Sequence, residues 1–430
     1  MNASSSAPAR SILESLLGDS AALAVLTDRK PTVTQQTQAA HDALYSASHP
    51  LPPALLHTLA AVVATQQGSS ALLGWHLAHV DDRGLFDDLV SGATPAEPLL
   101  AALMSYVDTV SVSPALATAE DQHALASAGA DPDLVVLIGQ LVAFESYLIR
   151  LVAGLAALDA STAAAAAAAT PGTATAPVTA DAPGIAAAPG TAAEVPTPLP
   201  DLDRDPHSRG RTGDRSALTA TGRSRPTSFT REFLDWEPWL PAPAEDELTE
   251  EQIESFASKA TTRSVYFRLI ARTPGVTLAR STLDNAVFTS KEGLEKGERE
   301  LAAAVSSKVN DCVYCASVHA RKAVQRTHRD EDVDRMLAVE LDRDADWVAA
   351  DVTALAAGQD DRWTVLIETA ARLAALVPEF VAEDADRLRR IGLTDLEMVD
   401  HIASTAFFGW ANRLMLTLGE PYWPETEATA

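Results

Sequence analysis

Apolar residues recur every three to four positions over long stretches of the chain, the period of helices that bury one face. The pattern predicts helices over 11–26, 34–47, 53–67, 69–80, 96–110 and 131–158. After a break it resumes over 249–261, 276–289, 298–309, 312–326, 330–341, 362–376, 381–392 and 395–418. The tetrad Thr249-Glu250-Glu251-Gln252 carries a capping-box signal. β-Branched runs bounded by turn residues are scarce, which argues against a sandwich or barrel. The expected fold class is all-α.

The helical pattern fails between 159 and 228. An alanine run, Ala163 to Ala169, gives way to Thr, Pro, Gly and Ala repeats, then to an Arg/Ser/Asp/Gly stretch. Such composition buries too little apolar surface to offset its ordering entropy. Three regions are expected: a helical unit over 10–158, a disordered linker over 159–228, and a second helical unit over 229–424. The linker arginines (Arg204, Arg209, Arg211, Arg215, Arg223, Arg225) read most simply as solvated, with an anionic partner as the sharper alternative.

The 430 residues are 47% apolar, and alanine supplies much of that share, which favours helix. A net charge of -26 repels phosphate backbones and anionic lipids, so neither nucleic acid nor membrane is an expected partner. The most apolar segment, 134–158, is interrupted by Gln140, Glu145 and Arg150. It reads as a buried amphipathic helix rather than a membrane span. Residues 1–18 lack the charged start and long apolar core of a signal peptide, so the expected location is cytoplasmic.

The two units look like repeats of each other. Aligning His76 with His319, 243 positions apart, places Leu59 to Val63 on Ala302 to Ser306. Aligning Arg150 with Arg413, 263 apart, places Phe144 on Phe407 and Gly129 on Gly392. The second unit therefore carries a 20-residue insertion between the two anchors. Arg150 and Arg413 are expected in a shared structural ion pair, His76 as a satisfied structural histidine, and His401 in a local pair with Glu397. Phe407, Phe408 and Trp410 read as core, with the apolar walls of a thiol site as the alternative.

Both cysteines fall in one motif, Asn310-Asp311-Cys312-Val313-Tyr314-Cys315. Asn-Asp favours a turn, and Asp311 is the candidate N-cap of the helix that follows. Cys312 and Cys315, three apart, then share a face in its first turn. Free N–H groups and the helix dipole there favour thiolate, the nucleophile in attack on a peroxide or a disulfide. His319, one turn past Cys315, has a pKa suited to moving a thiol proton. A tight antiparallel connection at 308–311 would return Glu300 to orient His319. Two blander readings stand beside this one: buried structural thiols, and a zinc site of Cys312, Cys315 and His319 in need of a fourth ligand.

The stretch from Glu300-Leu301-Ala302-Ala303-Ala304-Val305-Ser306 through Asn310-Asp311-Cys312-Val313-Tyr314-Cys315 to His319 closely resembles the carboxymuconolactone decarboxylase/AhpD-like alkylhydroperoxidase family. The shared pattern is Glu, eleven residues, Cys-x-x-Cys, three residues, His. Leu393-Thr394-Asp395 and Phe407-Phe408-Gly409-Trp410-Ala411-Asn412-Arg413 resemble the family's closing helix. The resemblance implies an all-α fold, a trimer-based homo-oligomer, and neither metal nor flavin as cofactor. It implies a thiol-dependent peroxidase in which Cys315 is attacked by a hydroperoxide, Cys312 resolves it, and Glu300 and His319 relay protons. A lipoyl- or thioredoxin-like dithiol would be the reductant. The family's intervening histidine is replaced by Tyr314, a possible supporting residue. The first unit has His57, Ser69 and Leu72 at the places of Glu300, Cys312 and Cys315, keeps only His76, and reads as a degenerate relative. The alternatives are lactone chemistry of the decarboxylase branch, which needs no cysteine pair, and a non-catalytic assembly or binding protein.

Overall fold

Ser, Thr and Asp caps, prolines in first turns and left-handed glycines set many of the helix ends. The structure, a computed structural model, describes residues 10–169, 218–256 and 258–424. It is mostly helical, as the periodicity predicts. The first half holds α1 (Ile12–Leu17), α2 (Ala21–Arg29), α3 (Pro31–Leu44), α4 (Pro53–Gln66), α5 (Ser70–Leu77), α6 (Arg83–Val90), α7 (Pro98–Val112), α8 (Ala119–Ser127) and α9 (Pro132–Ala169). The second holds α10 (Glu250–Glu254), α11 (Val265–Ile270), α12 (Pro274–Thr289), α13 (Lys296–Val309), α14 (Val313–Thr327), α15 (Asp330–Ala338), α16 (Asp361–Ala374), α17 (Ala382–Arg390) and α18 (Asp395–Thr417). A short antiparallel pair, β1 (Asp235–Pro238) and β2 (Gly419–Tyr422), sets Trp236 opposite Pro421.

Several boundaries differ from the periodicity. The helix expected over 11–26 breaks at Gly18, which adopts φ +60°; only glycine takes that conformation without strain. The capping box at Thr249 and Gln252 forms, but its helix ends at Glu254. The segment expected to be an amphipathic helix over 134–158 is instead buried almost all round, with Gln140, Glu145 and Arg150 fully enclosed. It is long and apolar enough to cross a membrane, yet its most apolar stretch lies wholly inside the protein. It also continues through the alanine run to Ala169, where the sequence placed linker, and Asp159 accepts a 2.9 Å bond from Ala22 N. At the other end, Trp423 N donates to Ser224 O at 2.8 Å, and Arg223 stacks on Tyr422 at 4.3 Å. Arg225 pairs with Glu420 at 3.4 Å. The rest of the expected linker, 170–217 with Arg204, Arg209, Arg211 and Arg215, lies outside the described residues.

Helix starts recur at constant separations. Pro31 and Pro274, Pro53 and Lys296, and Ser70 and Val313 are each 243 residues apart; Pro98 and Asp361, Ala119 and Ala382, and Pro132 and Asp395 are each 263 apart. The twenty extra residues fall between α14 and α16. Helices whose starts lie at these separations pack on each other: α3 on α12 and α9 on α18. α9 and α18 come close at Ser146 and Gly409, themselves 263 apart, where a Cβ on Gly409 would lie 2.9 Å from Ser146 O.

Arg150 and Arg413 do not form the expected ion pair. Each donates to its own i−4 carbonyl and then reaches the end of a helix in the opposite half. Arg150 Nη2 donates to Ala375 O at 2.7 Å and Ala374 O at 3.2 Å, at the C-terminus of α16. Arg413 Nη2 donates to Ser111 O at 2.8 Å, near the C-terminus of α7. A cation suits those terminal carbonyls and the negative end of the helix dipole. A further buried link joins Lys30 to Asp400 at 3.0 Å, with Arg299 on the same carboxylate at 3.0 Å. His401 does not pair with Glu397. It is fully buried and meets Thr369 Oγ1 at 2.9 Å, while Glu397 caps Thr394.

Candidate active site at the turn between α13 and α14

α13 ends in a turn whose hydrogen bonding carries the chain directly into α14. Cys312 N donates to Ser307 O at 2.8 Å, the six-to-one bond of a Schellman turn, and Asp311 takes the left-handed position with φ +60°. Asp311 is therefore not the N-cap; Cys312 is. A side chain in that conformation costs roughly 1–2 kcal/mol. The insertion between α14 and α16 offsets this cost by gripping the turn. Trp347 Nε1 donates to Asp311 Oδ2 at 2.8 Å, and Arg343 lies 3.8 Å from the same carboxylate. Arg343 also donates to Val309 O and Lys308 O, at 3.1 Å each. An open groove of about 670 Å³, walled in part by Lys308, Asp311, Arg343 and Trp347, runs up to the turn.

Both cysteines are free thiols near the start of α14 and both are buried. Cys315 keeps 5% exposure and Cys312 1%, so Cys315 is the more reachable sulfur. Burial pushes the Cys312 thiol well above its ordinary pKa, and its hydrogen bond and proximity to Cys315 push it the same way. For Cys312, desolvation thus outweighs the pull of the helix N-terminus toward thiolate.

Glu300 and His319 meet as the chain reversal predicts. His319 Nδ1 lies 2.6 Å from Glu300 Oε2. Burial alone would raise the Glu300 carboxyl; the His319 hydrogen bond and the charges of His319, Lys322 and Arg326 overcome it and hold the group below its usual value. The His319 ring is gripped edge-on by Phe408, with centroids 4.5 Å apart, and faces Phe288 at 5.7 Å. Phe408 thus walls the site, as the second of the two readings of that residue has it. Trp410 is core, with Nε1 on Gln140 Oε1 at 2.7 Å. Tyr314 is half-buried. Its hydroxyl is pushed up to about 12 by burial and then by the charges of Cys315, Asp235 and Cys312, so it is a donor and not a proton carrier near neutrality. Among the described residues no cluster of three His, Cys, Asp or Glu is arranged to hold a metal, and the Glu300 contact on His319 Nδ1 leaves Nε2 open.

Several residues around the site were not singled out from sequence. Arg280, Asp284 and Phe288 line one face of α12 at four-residue spacing, and Tyr266 sits beside them on α11. Burial raises the Asp284 carboxyl, against the pull of Arg280, His319 and Lys322. The i, i+4, i+8 spacing was available as a signal, but a mixed Arg/Asp/Phe stripe has no signature of its own.

His57 and His76, 243 residues before Glu300 and His319, sit in a different polar network. His76 Nε2 meets Glu145 Oε2 at 3.0 Å, and its Nδ1 meets His57 Nδ1 at 3.0 Å. Tyr45 Oη donates to Glu145 Oε1 at 2.7 Å. His76 is thus satisfied on both ring nitrogens. Burial, then the neighbouring His76, His79 and His41, bring His57 down to about 3. Ser69 and Leu72 stand 243 residues before Cys312 and Cys315.

No curated protein matches the chain. Residues 274–360, the span from α12 through the insertion, match the carboxymuconolactone decarboxylase family. That span contains Glu300, Cys312, Cys315 and His319, so the similarity to the carboxymuconolactone decarboxylase family covers all four candidate site residues.

Proposed function

We propose that the protein is a thiol-dependent peroxidase of the alkylhydroperoxidase type. The observation that carries this reading is the 2.6 Å contact of His319 with Glu300, one helical turn from a buried, free Cys312/Cys315 pair. The carboxylate fixes the ring, and an imidazole held beside sulfur can donate and accept a proton.

In the first step Cys315 thiolate attacks the terminal oxygen of a hydroperoxide. The O–O bond breaks, Cys315 becomes sulfenic acid, and the departing alkoxide takes a proton from His319 and leaves as the alcohol. In the second, Cys312 attacks the Cys315 sulfur, a disulfide forms, and the hydroxyl leaves with the Cys312 proton as water. An external dithiol then exchanges with the disulfide, returning two thiols and leaving oxidised as its own disulfide. The high affinity of Cys312 for its proton suits the resolving role, since that proton is needed only in the second step.

The first half reads as a degenerate relative of the second. The constant helix separations support this, as do His57, Ser69 and Leu72 at the places of Glu300, Cys312 and Cys315. Two related halves in one chain also support an assembly of three chains where single units would need six. Light scattering on the intact protein tests that number.

The deciding experiment is consumption of an organic hydroperoxide by purified protein with a dithiol donor. Wild type should turn over and Cys315→Ser should not; equal rates would sink the proposal. Cys312→Ser should trap the sulfenic acid, seen as a mass gain of about 16 Da on Cys315. The family match motivates a competing reading, decarboxylation of a γ-carboxylated lactone by Glu300 and His319. It predicts lactone turnover that survives loss of both sulfurs.

A further inference from the structure

Four arginines are buried among the described residues: Arg150, Arg280, Arg299 and Arg413. Three are well supplied with acceptors. Arg150 and Arg413 bond helix-end carbonyls, and Arg299 donates to Val287 O and Ser290 O and pairs with Asp400. Arg280 is the exception. It is 4% exposed, yet its Nε and Nη1 have no hydrogen-bond partner among the described residues.

Two aromatic rings are its close company. The guanidinium carbon lies 5.1 Å from the centroid of Phe407 and 5.7 Å from that of Tyr266. Such contacts return less than burying a charge without a counterion costs. Asp284, one turn along α12, lies near enough to feel the Arg280 charge, but no hydrogen bond or ion pair joins the two side chains. Tyr266 Oη and Ser281 Oγ, both buried, also lack partners. Buried polar groups without partners are few in native proteins, and each calls for a cause. The equivalent residue of the first half is Thr37, 243 positions earlier. It is neutral, and its hydroxyl is satisfied by Val33 O and Tyr147 Oη, both at 2.8 Å. The unpaired cation therefore belongs only to the half that carries the thiols.

Its location ties it to them. Arg280 and Phe288 lie two turns apart on one face of α12, about 12 Å along the axis. Phe288 touches His319, and it packs on Phe407 with centroids 6.1 Å apart. Tyr266, beside the guanidinium, lies within electrostatic reach of both cysteines. An apolar aromatic wall thus runs from the His319 ring to a guanidinium with open donors.

We propose that Arg280 recognises the carboxylate of the substrate, so that the site takes an organic hydroperoxide with an apolar body and an anionic end. The body lies along Phe288 and Phe407, and the peroxide faces Cys315. The peroxide end of this inference rests on the peroxidase reading; the carboxylate end rests on Arg280 and is tested apart from turnover.

The test compares wild type, Arg280→Met and Arg280→Lys. In calorimetric titration, benzoate should bind wild type and bind the Met variant at least tenfold more weakly, with Lys between; benzamide should bind none of them well. Absence of benzoate binding to wild type, or equal binding to wild type and Met, overturns the proposal. In turnover, kcat/KM for carboxylated cumene hydroperoxide over that for cumene hydroperoxide itself should exceed ten in wild type and fall toward one in the Met variant. A ratio that stays the same overturns it as well. If neither hydroperoxide is consumed, the peroxidase reading fails, and the benzoate titration still decides the anion site. Thermal unfolding separates a structural role: an arginine kept for ligand should yield to Met with an unchanged or higher midpoint. A lower midpoint together with an unaltered acid preference would assign Arg280 to the scaffold.

Discussion

Trp347 and Asp311 are 36 residues apart in sequence and share a 2.8 Å hydrogen bond from indole Nε1 to carboxylate Oδ2. Asp311 immediately precedes Cys312, so the insertion, through this bond and Arg343, sets the geometry in which the thiol is presented. A hydrogen bond to a charged acceptor contributes about 1.5–3 kcal/mol. Trp347→Phe, which keeps the ring and removes the donor, should lower stability in urea by that amount. It should also change the rate at which Cys315 reacts with a disulfide reagent. An unchanged thiol rate would limit the insertion to a structural part.

Glu300 holds a depressed pKa in the folded state, through His319, Lys322 and Arg326 acting against burial. A lowered carboxyl pKa contributes stability above the unfolded value, about 4.3, and loses it as pH falls through the folded value. The gap between wild type and Glu300→Gln should therefore be flat from pH 7 to 5 and close below about 4. Chemical denaturation across that range reads it directly.

Two buried histidines resist protonation. Burial, with neighbouring cations or histidines, takes His57 to about 3 and His401 to about 4. The unfolded chain takes up these protons near pH 6.5, so between there and the folded values it binds more protons than the native state. Stability must fall on acidification from about pH 6.5, by roughly 1 kcal/mol per pH unit for each group. Substituting glutamine at both positions should flatten that slope; an unaltered slope would place the acid sensitivity elsewhere.

The crossing of α9 and α18 tolerates no side chain at Gly409. A Cβ there meets Ser146 O at 2.9 Å and the Arg150 side chain at 3.1 Å. Gly409→Val should cost about 1–3 kcal/mol by overpacking, whereas Gly74→Ala, in open space, should not destabilise. Thermal unfolding of the two variants distinguishes the sites.

Helix content and the meeting of Glu300 with His319 were legible because periodicity and motif spacing are local properties of the sequence. The short helices α6, α8 and α11, of 6–9 residues, were not predicted, although α5, α15 and α17 of comparable length were. The bonding of Arg150 and Arg413 was hidden, since carbonyl acceptors leave no trace in residue identity. Asp311 misled because a good capping residue is also one of the few side chains that enters the left-handed region, and here the six-to-one turn of α13 decided between the two. Arg280 was passed over for a related reason: an arginine on a mixed helical face reads as solvent-facing until its surroundings are known.

The exchange of arginines across the halves has a consequence for how the chain folds. The Ala374–Ala375 carbonyls take a guanidinium from the other half, and Ser111 O takes one beside Gln67 Nε2 of its own half; a buried carbonyl left without a donor costs about 1–3 kcal/mol. Neither half closes its own core, so the two are expected to melt as one cooperative unit. Scanning calorimetry should show a single transition whose calorimetric and van't Hoff enthalpies agree. Arg413→Met, although it sits in the thiol-bearing half, should loosen amide-exchange protection at the C-terminal end of α7.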